Sequence, residues 1–165
     1  MKFLASLLAI SLSWLPSAFA EDPEVQMFDI GQTVIKMALA DGVGPQDATD
    51  AMLSKAAELN MKMVGHQNVG KELQNRGIDA PDLEIFQFCN PEDAIKMVEF
   101  NTIYAAYMPC RIALVQDKDG KHWLEMLNLD MIINAYPLPP ELQAIAITVN
   151  GTMLSILTAG ATGAF

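Results

Sequence analysis

The sequence predicts one small α+β domain, a β-sheet packed with helices and followed by an apolar helical carboxyl-terminal tail. Three observations predict it. Short β-branched and apolar runs recur between glycines and prolines. Helix-start signals stand between those runs. Two of the runs flank a tight-turn sequence and read as a hairpin. The chain has no internal repeat and no low-complexity linker.

In chain order, "GQTVIKMALADG" mixes β-branched and apolar residues between glycines and reads as an opening strand. "GPQDATDAMLSKAAELNMKMV" reads as a helix: Pro45 suits the first turn and Asp47 and Asp50 favour its amino end. Ala48, Met52, Ala56 and Leu59 then form a stripe at helical spacing. "NVGKELQNRGI" is a shorter helix ending at Gly77, a C-cap residue. "LEIFQFCNP" is a strand that runs into a helix start. Asn90 serves as N-cap, Pro91 takes the first helical position, and Glu92 and Asp93 complement the helix dipole. That helix turns Ala94, Ile95, Met97 and Val98 toward a core. "CRIALVQ" and "HWLEMLNL" flank "DKDGK" as a hairpin turning at Asp119-Gly120. Beyond "YPLPP", about 25 residues carry no charge except Glu141. The expected order is strand, helix, helix, strand, helix, strand, strand, helical tail.

The amino terminus sets an expected compartment. Lys2 precedes the apolar stretch "FLASLLAISLSWLPS", and "AFA" ends it in small residues at Ala18 and Ala20, a cleavable secretory signal over residues 1–20. The apolar run is shorter than the roughly 20 residues a membrane span needs. A soluble periplasmic protein is therefore expected, with an α+β domain over 21–139 and an apolar helix or arm over 140–165. The tail is interrupted by Asn150-Gly151-Thr152 and has no Lys or Arg beside it. It is expected to pack on its own domain or across a dimer, not in a membrane. The formal net charge of -10 speaks against nucleic acid and anionic lipid as partners, since both are bound through Lys and Arg clusters.

"FQFCNPEDAIKMVEFN" followed by "YMPCRIALVQDKDGK" resembles the bacterial family known as domain of unknown function 302. The resemblance rests on Cys89-Asn90-Pro91 and on Met108-Pro109-Cys110-Arg111 leading into a hairpin strand, and spans about residues 28 to 133. It implies a small domain that tends to form homodimers, and it implies no settled enzymatic activity. Met108 stands where that family usually has Leu, and the export signal and apolar tail are additions to its pattern.

The candidate chemistry centres on the two cysteines. Cys89 ends a strand directly before a helix amino terminus, where N–H groups and the dipole favour a thiolate. It reads equally as a small buried apolar residue. Cys110 opens a following strand. In an oxidising compartment two cysteines suggest one disulfide, closing a loop of about 20 residues and worth roughly 3 kcal/mol. They also suit paired thiols serving a metal, haem or redox chemistry, or plain packing. Met61, Met63 and His66 in "NMKMVGH", with Met108 near Cys110, extend the ligand set: thioether, thiolate and imidazole select copper in its Cu(I) state or hold haem iron. Eleven methionines make some of this proximity fortuitous. Arg111 is a nearby charge for a thiolate or an anionic ligand.

Other chemistries lack their residues. No CxxCH is present for covalent haem, no CxxC or HExxH, no GxSxG and no phosphate loop. Asp117 and Asp119 begin a calcium-loop pattern that the following residues do not continue, and a solvated turn explains them better. A Cys89 nucleophile has no base visibly placed to serve it. The expectation is thus an exported binding or accessory protein, not an enzyme. Its site is built from Cys89, Cys110, Met108 and His66, with Arg111 beside it. The alternative is a structural dimer stapled by a Cys89–Cys110 disulfide.

Overall fold

The computed structural model describes residues 30–165; the expected signal segment, residues 1–20, lies outside the described residues. After a 3-10 turn at Ile30–Thr33, five strands and five helices follow. They are β1 (Val34–Ala38), α1 (Pro45–Glu58), β2 (Lys62–Asn68), α2 (Val69–Asn75), β3 (Leu83–Cys89) and α3 (Pro91–Phe100). A 3-10 helix, Thr102–Tyr107, leads to β4 (Cys110–Gln116), β5 (His122–Leu127), α4 (Leu129–Ala135) and α5 (Pro140–Thr162). The strands form one sheet in the order β1-β5-β4-β3-β2, and every neighbouring pair is antiparallel. The α+β expectation holds.

Two elements depart from the sequence reading. The long helix expected through Val64 stops at Glu58, and Asn60 turns the chain with a left-handed φ of 54°. Residues 62–68 then form β2, an edge strand with a bulge between Met63 and Gly65. Its Met and Lys residues are good helix formers, so local propensity pointed to a helix; pairing with β3 overrides it. The other addition is α4, a short helix between β5 and the prolines, which Asn150 of α5 tethers by donating from Nδ2 to Asp130 Oδ1 at 2.8 Å. Ile95, expected to face the core, is exposed, and Met97 is the buried residue of α3.

One face of the sheet is covered by α1 and α5. Alternation along the strands turns Phe86 and Phe88 of β3, Ile112 and Leu114 of β4, and Leu124 and Met126 of β5 toward them. Ala48 and Met52 of α1 and Met153, Ile156 and Leu157 of α5 complete this core. The last three are fully buried, which is worth roughly 5–9 kcal/mol together at about 1.5–3 kcal/mol per side chain. That matches the net stability of a typical domain, about 5–15 kcal/mol. The apolar tail is therefore part of the domain's core and not an appended arm. Length and hydropathy alone would let α5 cross a membrane, but its buried side is spent on the sheet. Gly160 makes the α1–α5 approach possible: a Cβ there would stand 2.5 Å from Met52 Cγ and 2.8 Å from Leu124 Cδ1.

Candidate functional site

The site begins where β3 becomes α3. Asn90 caps the helix as its sequence context indicates, its Oδ1 accepting from the N–H groups of Glu92 (3.0 Å) and Asp93 (3.3 Å), with Pro91 in the first turn. The cap fixes the angle at which α3 leaves the sheet. On the inward side of α3, Asp93 and Ala94 each stand about one turn before Met97. The chain returns along the 3-10 helix and the cis Met108-Pro109 bond to enter β4 at Cys110.

β3 and β4 are direct neighbours, and Cys110 lies across the ladder from Phe88. Cys89 is the next residue on β3, paired on its other side with Lys62 of β2. Strict alternation would send Cys89 to the face opposite Cys110, but it is the last residue of its strand, where the chain turns into α3. Both cysteines border the same cavity.

That cavity has a volume of about 130 Å³ and lies at the end of the sheet, beneath α4 and the amino-terminal half of α5. Phe88 and Cys110 form its floor, and α3 contributes Ala94 and Met97. Tyr104, Tyr107 and Met108 come from the return segment, and Ile132, Ile133 and Tyr136 from α4 and the residue after it. Ile145, Ala146 and Val149 of α5 close the far side, and Met61, just before β2, reaches in beside the cysteine end. Nearly all of this surface is apolar; Asp93 is its one carboxylate and it has no histidine.

Such surroundings set the state of the thiols. Burial raises the Cys89 thiol above its ordinary value despite the helix amino terminus beside it. Cys110 is pushed up to about 11, first by burial and then by the neighbouring Cys89; Arg111 and a backbone hydrogen bond act in the opposite direction without prevailing. Of the two readings of Cys89, a thiolate at a helix amino terminus and a small buried apolar residue, the burial favours the second, because desolvation disfavours the charged form. Cys89 and Cys110 are both unbonded cysteines in this structure.

Of the expected site residues, Cys89, Cys110 and Met108 meet at the cavity. His66 does not. It sits on edge strand β2, hydrogen-bonded from Nε2 to Glu84 Oε2 at 2.7 Å and stacked on Phe86 with ring centroids 4.6 Å apart. Two residues on, Asn68 caps α2 by accepting from the Lys71 N–H. Arg111 is exposed and borders a smaller recess behind Cys110, not the cavity itself. Met63 is exposed on β2. Asp117 organises the β4–β5 turn, accepting from the N–H groups of Asp119 and Lys121 and from Trp123 Nε1, which accounts for "DKDG" without a cation.

Sequence reasoning gave Met97 only a packing role, and placed Met61 beside His66 and not beside the cysteines. Helical spacing did mark Met97 as inward-facing, but no local signal says that its face borders a cavity. Among the described residues no three His, Cys, Asp or Glu side chains gather as a metal cluster. The cavity's lining does include five sulfur-bearing residues, Met61, Cys89, Met97, Met108 and Cys110. At about 130 Å³ the cavity is smaller than the about 300–1,000 Å³ typical of pockets for drug-sized ligands, and so fits an ion or small ligand better than haem.

Residues 35–160 match the family described as "Domain of unknown function DUF302", so the match extends beyond residue 133 and takes in most of α5. The fold is similar to the crystal structure of an uncharacterized conserved DUF302 protein from Bacillus stearothermophilus. The TM-score is 0.63 at 18% identity, covering 77% of this chain and 97% of that one. No functionally curated protein matches the sequence.

Proposed function

Since the chain belongs to the DUF302 family, whose description carries no activity, we propose from the cavity that it is an exported binding or accessory protein holding a small ligand against Cys89 and Cys110. The observation that carries this reading is that both motif cysteines border one apolar cavity at the end of the sheet. Binding is favoured over catalysis by the same surroundings. Burial raises both thiols above their ordinary value, which disfavours a nucleophilic thiolate, and no histidine lines the cavity to serve as a base. Export rests on the signal pattern of residues 1–20.

A second reading is favoured by the strand pairing. Cys89 and Cys110 lie on adjacent strands at the same sheet end, so a disulfide staple in a structural dimer remains the competing assignment. One preparation separates the two. Protein recovered from the periplasm is examined by native mass spectrometry, with Ala94→Trp, which fills the cavity, as control. A bound mass present in the wild type and absent from Ala94→Trp supports the binding reading. A bare chain lighter by two hydrogens, in a dimer, supports the staple and sinks the binding reading.

A further inference from the structure

We propose that the cavity is a sulfur site for one soft monovalent metal ion, Cu(I), held by thiolate from Cys89 or Cys110 and thioethers from Met61, Met97 and Met108. The inference deepens the binding reading above and rests on it. All five sulfur side chains border the same cavity. They reach it from separate parts of the chain: the approach to β2, the end of β3, the middle of α3, the approach to β4 and its first residue. Both cysteines of the chain and three of its eleven methionines are thus gathered at one end of one sheet.

Methionine commonly fills irregular cores, and that is the bland explanation of Met61 and Met97. Here, however, the thioethers border open volume which they do not plug, and they share it with both thiols. Donor chemistry then selects the ion. Calcium and magnesium need several oxygens, and this cavity offers one carboxylate; zinc takes three or four imidazole, thiolate or carboxylate ligands, and no three such side chains gather among the described residues. Thiolate and thioether together are the soft set that prefers Cu(I). Charge agrees as well. Binding one Cu(I) through one cysteine forms a copper–sulfur bond and releases the thiol proton to solvent. The resulting centre is neutral and suits an apolar enclosure, with no electron transferred.

The test titrates the reduced, purified protein with Cu(I) under anaerobic conditions against a chromophoric Cu(I) chelator. Wild-type protein, Met61→Leu, Met97→Leu, Met108→Leu and the triple variant are compared. Leucine keeps volume and apolarity, so the variants are expected to fold. The expected result is one Cu(I) per chain with only sulfur neighbours by X-ray absorption. Each single variant weakens binding by about tenfold and the triple variant by roughly a hundredfold or more. Wild-type affinity in the triple variant, nitrogen or oxygen neighbours at copper, or no stoichiometric binding would overturn the assignment. An apolar fluorescent probe, run on the same proteins and on Ala94→Trp, keeps the two readings apart. Probe binding that Ala94→Trp abolishes, without Cu(I) binding, leaves the binding reading standing and removes the metal. Failure of the wild type to bind either removes both.

Discussion

Cys110 lies directly across the β3–β4 ladder from Phe88, one residue short of Cys89, so the two thiols share one sheet end beneath α4 and α5. That register, together with the apolar walls around it, determines how both cysteines behave. Both are partly buried, and burial raises both thiols above their ordinary value, Cys110 the more.

The first prediction follows from that shielding. Alkylation by iodoacetamide should be slow at pH 8 in the folded protein and fast in urea. The Cys110 rate should climb only as pH approaches about 11. Rapid modification of Cys110 at pH 8 without unfolding would contradict the burial described.

The same thiol makes stability depend on pH. Its folded value, about 11, lies above the ordinary 9.0, so the folded state holds the proton more tightly. The associated stability is fully present below pH 9.0 and is lost as pH rises through about 11, a change of about 2–3 kcal/mol. Urea unfolding of the wild type and Cys110→Ala at pH 7 and pH 11 measures it: the gap between the two proteins should narrow at the higher pH.

Gly160→Ala tests the close approach of α5 to α1. Alanine is the better helix former by about 1 kcal/mol. Its Cβ, however, would stand 2.5 Å from Met52 Cγ and 3.2 Å from the Ala48 carbonyl oxygen, inside a fully packed core. Overpacking costs about 1–3 kcal/mol and should outweigh the propensity gain, lowering the urea midpoint. A rise in stability would show that the interface yields.

Asn90→Ala removes the side-chain cap that sets the direction of α3. A loss of about 1 kcal/mol is expected, with faster alkylation of Cys89 because the cavity wall formed by α3 loosens. Unchanged Cys89 reactivity would mean that the cap stabilises the helix without positioning the site.

Asp117 predicts an acid effect at the opposite end of the sheet. Hydrogen bonds from Trp123, Lys121 and Asp119 hold its carboxyl below the usual 3.8. Its contribution is therefore present above pH 3.8 and disappears as pH falls through the lower folded value. Asp117→Ala should be less stable than the wild type at pH 6, with altered Trp123 fluorescence, and the difference should shrink in strong acid.

Much of this was legible in the chain because it is local. The Asn90-Pro91 helix start, the β4–β5 hairpin around Asp117 and Gly120, and the Gly77 turn with its φ of 77° follow from side chains acting on their own backbone within a few residues. β2 was not legible, because an edge strand of exposed Lys, Met and His is a strand only through its pairing with β3. His66 illustrates the consequence: read as part of a methionine-rich ligand group, it belongs instead to the Glu84–Phe86 surface of that pairing.

By itself the sequence determined the α+β class and the capped junction after Cys89, since local dihedral preference and hydrophobic period set both. Only the tertiary structure decided that Cys89, Cys110 and Met108 border one cavity, that Met61 and Met97 join them, that His66 and Arg111 do not line it, and that the apolar tail is a core helix. Those outcomes depend on which faces meet across the sheet. Strand register and helix packing set that between residues far apart in the chain, and no local pattern encodes it.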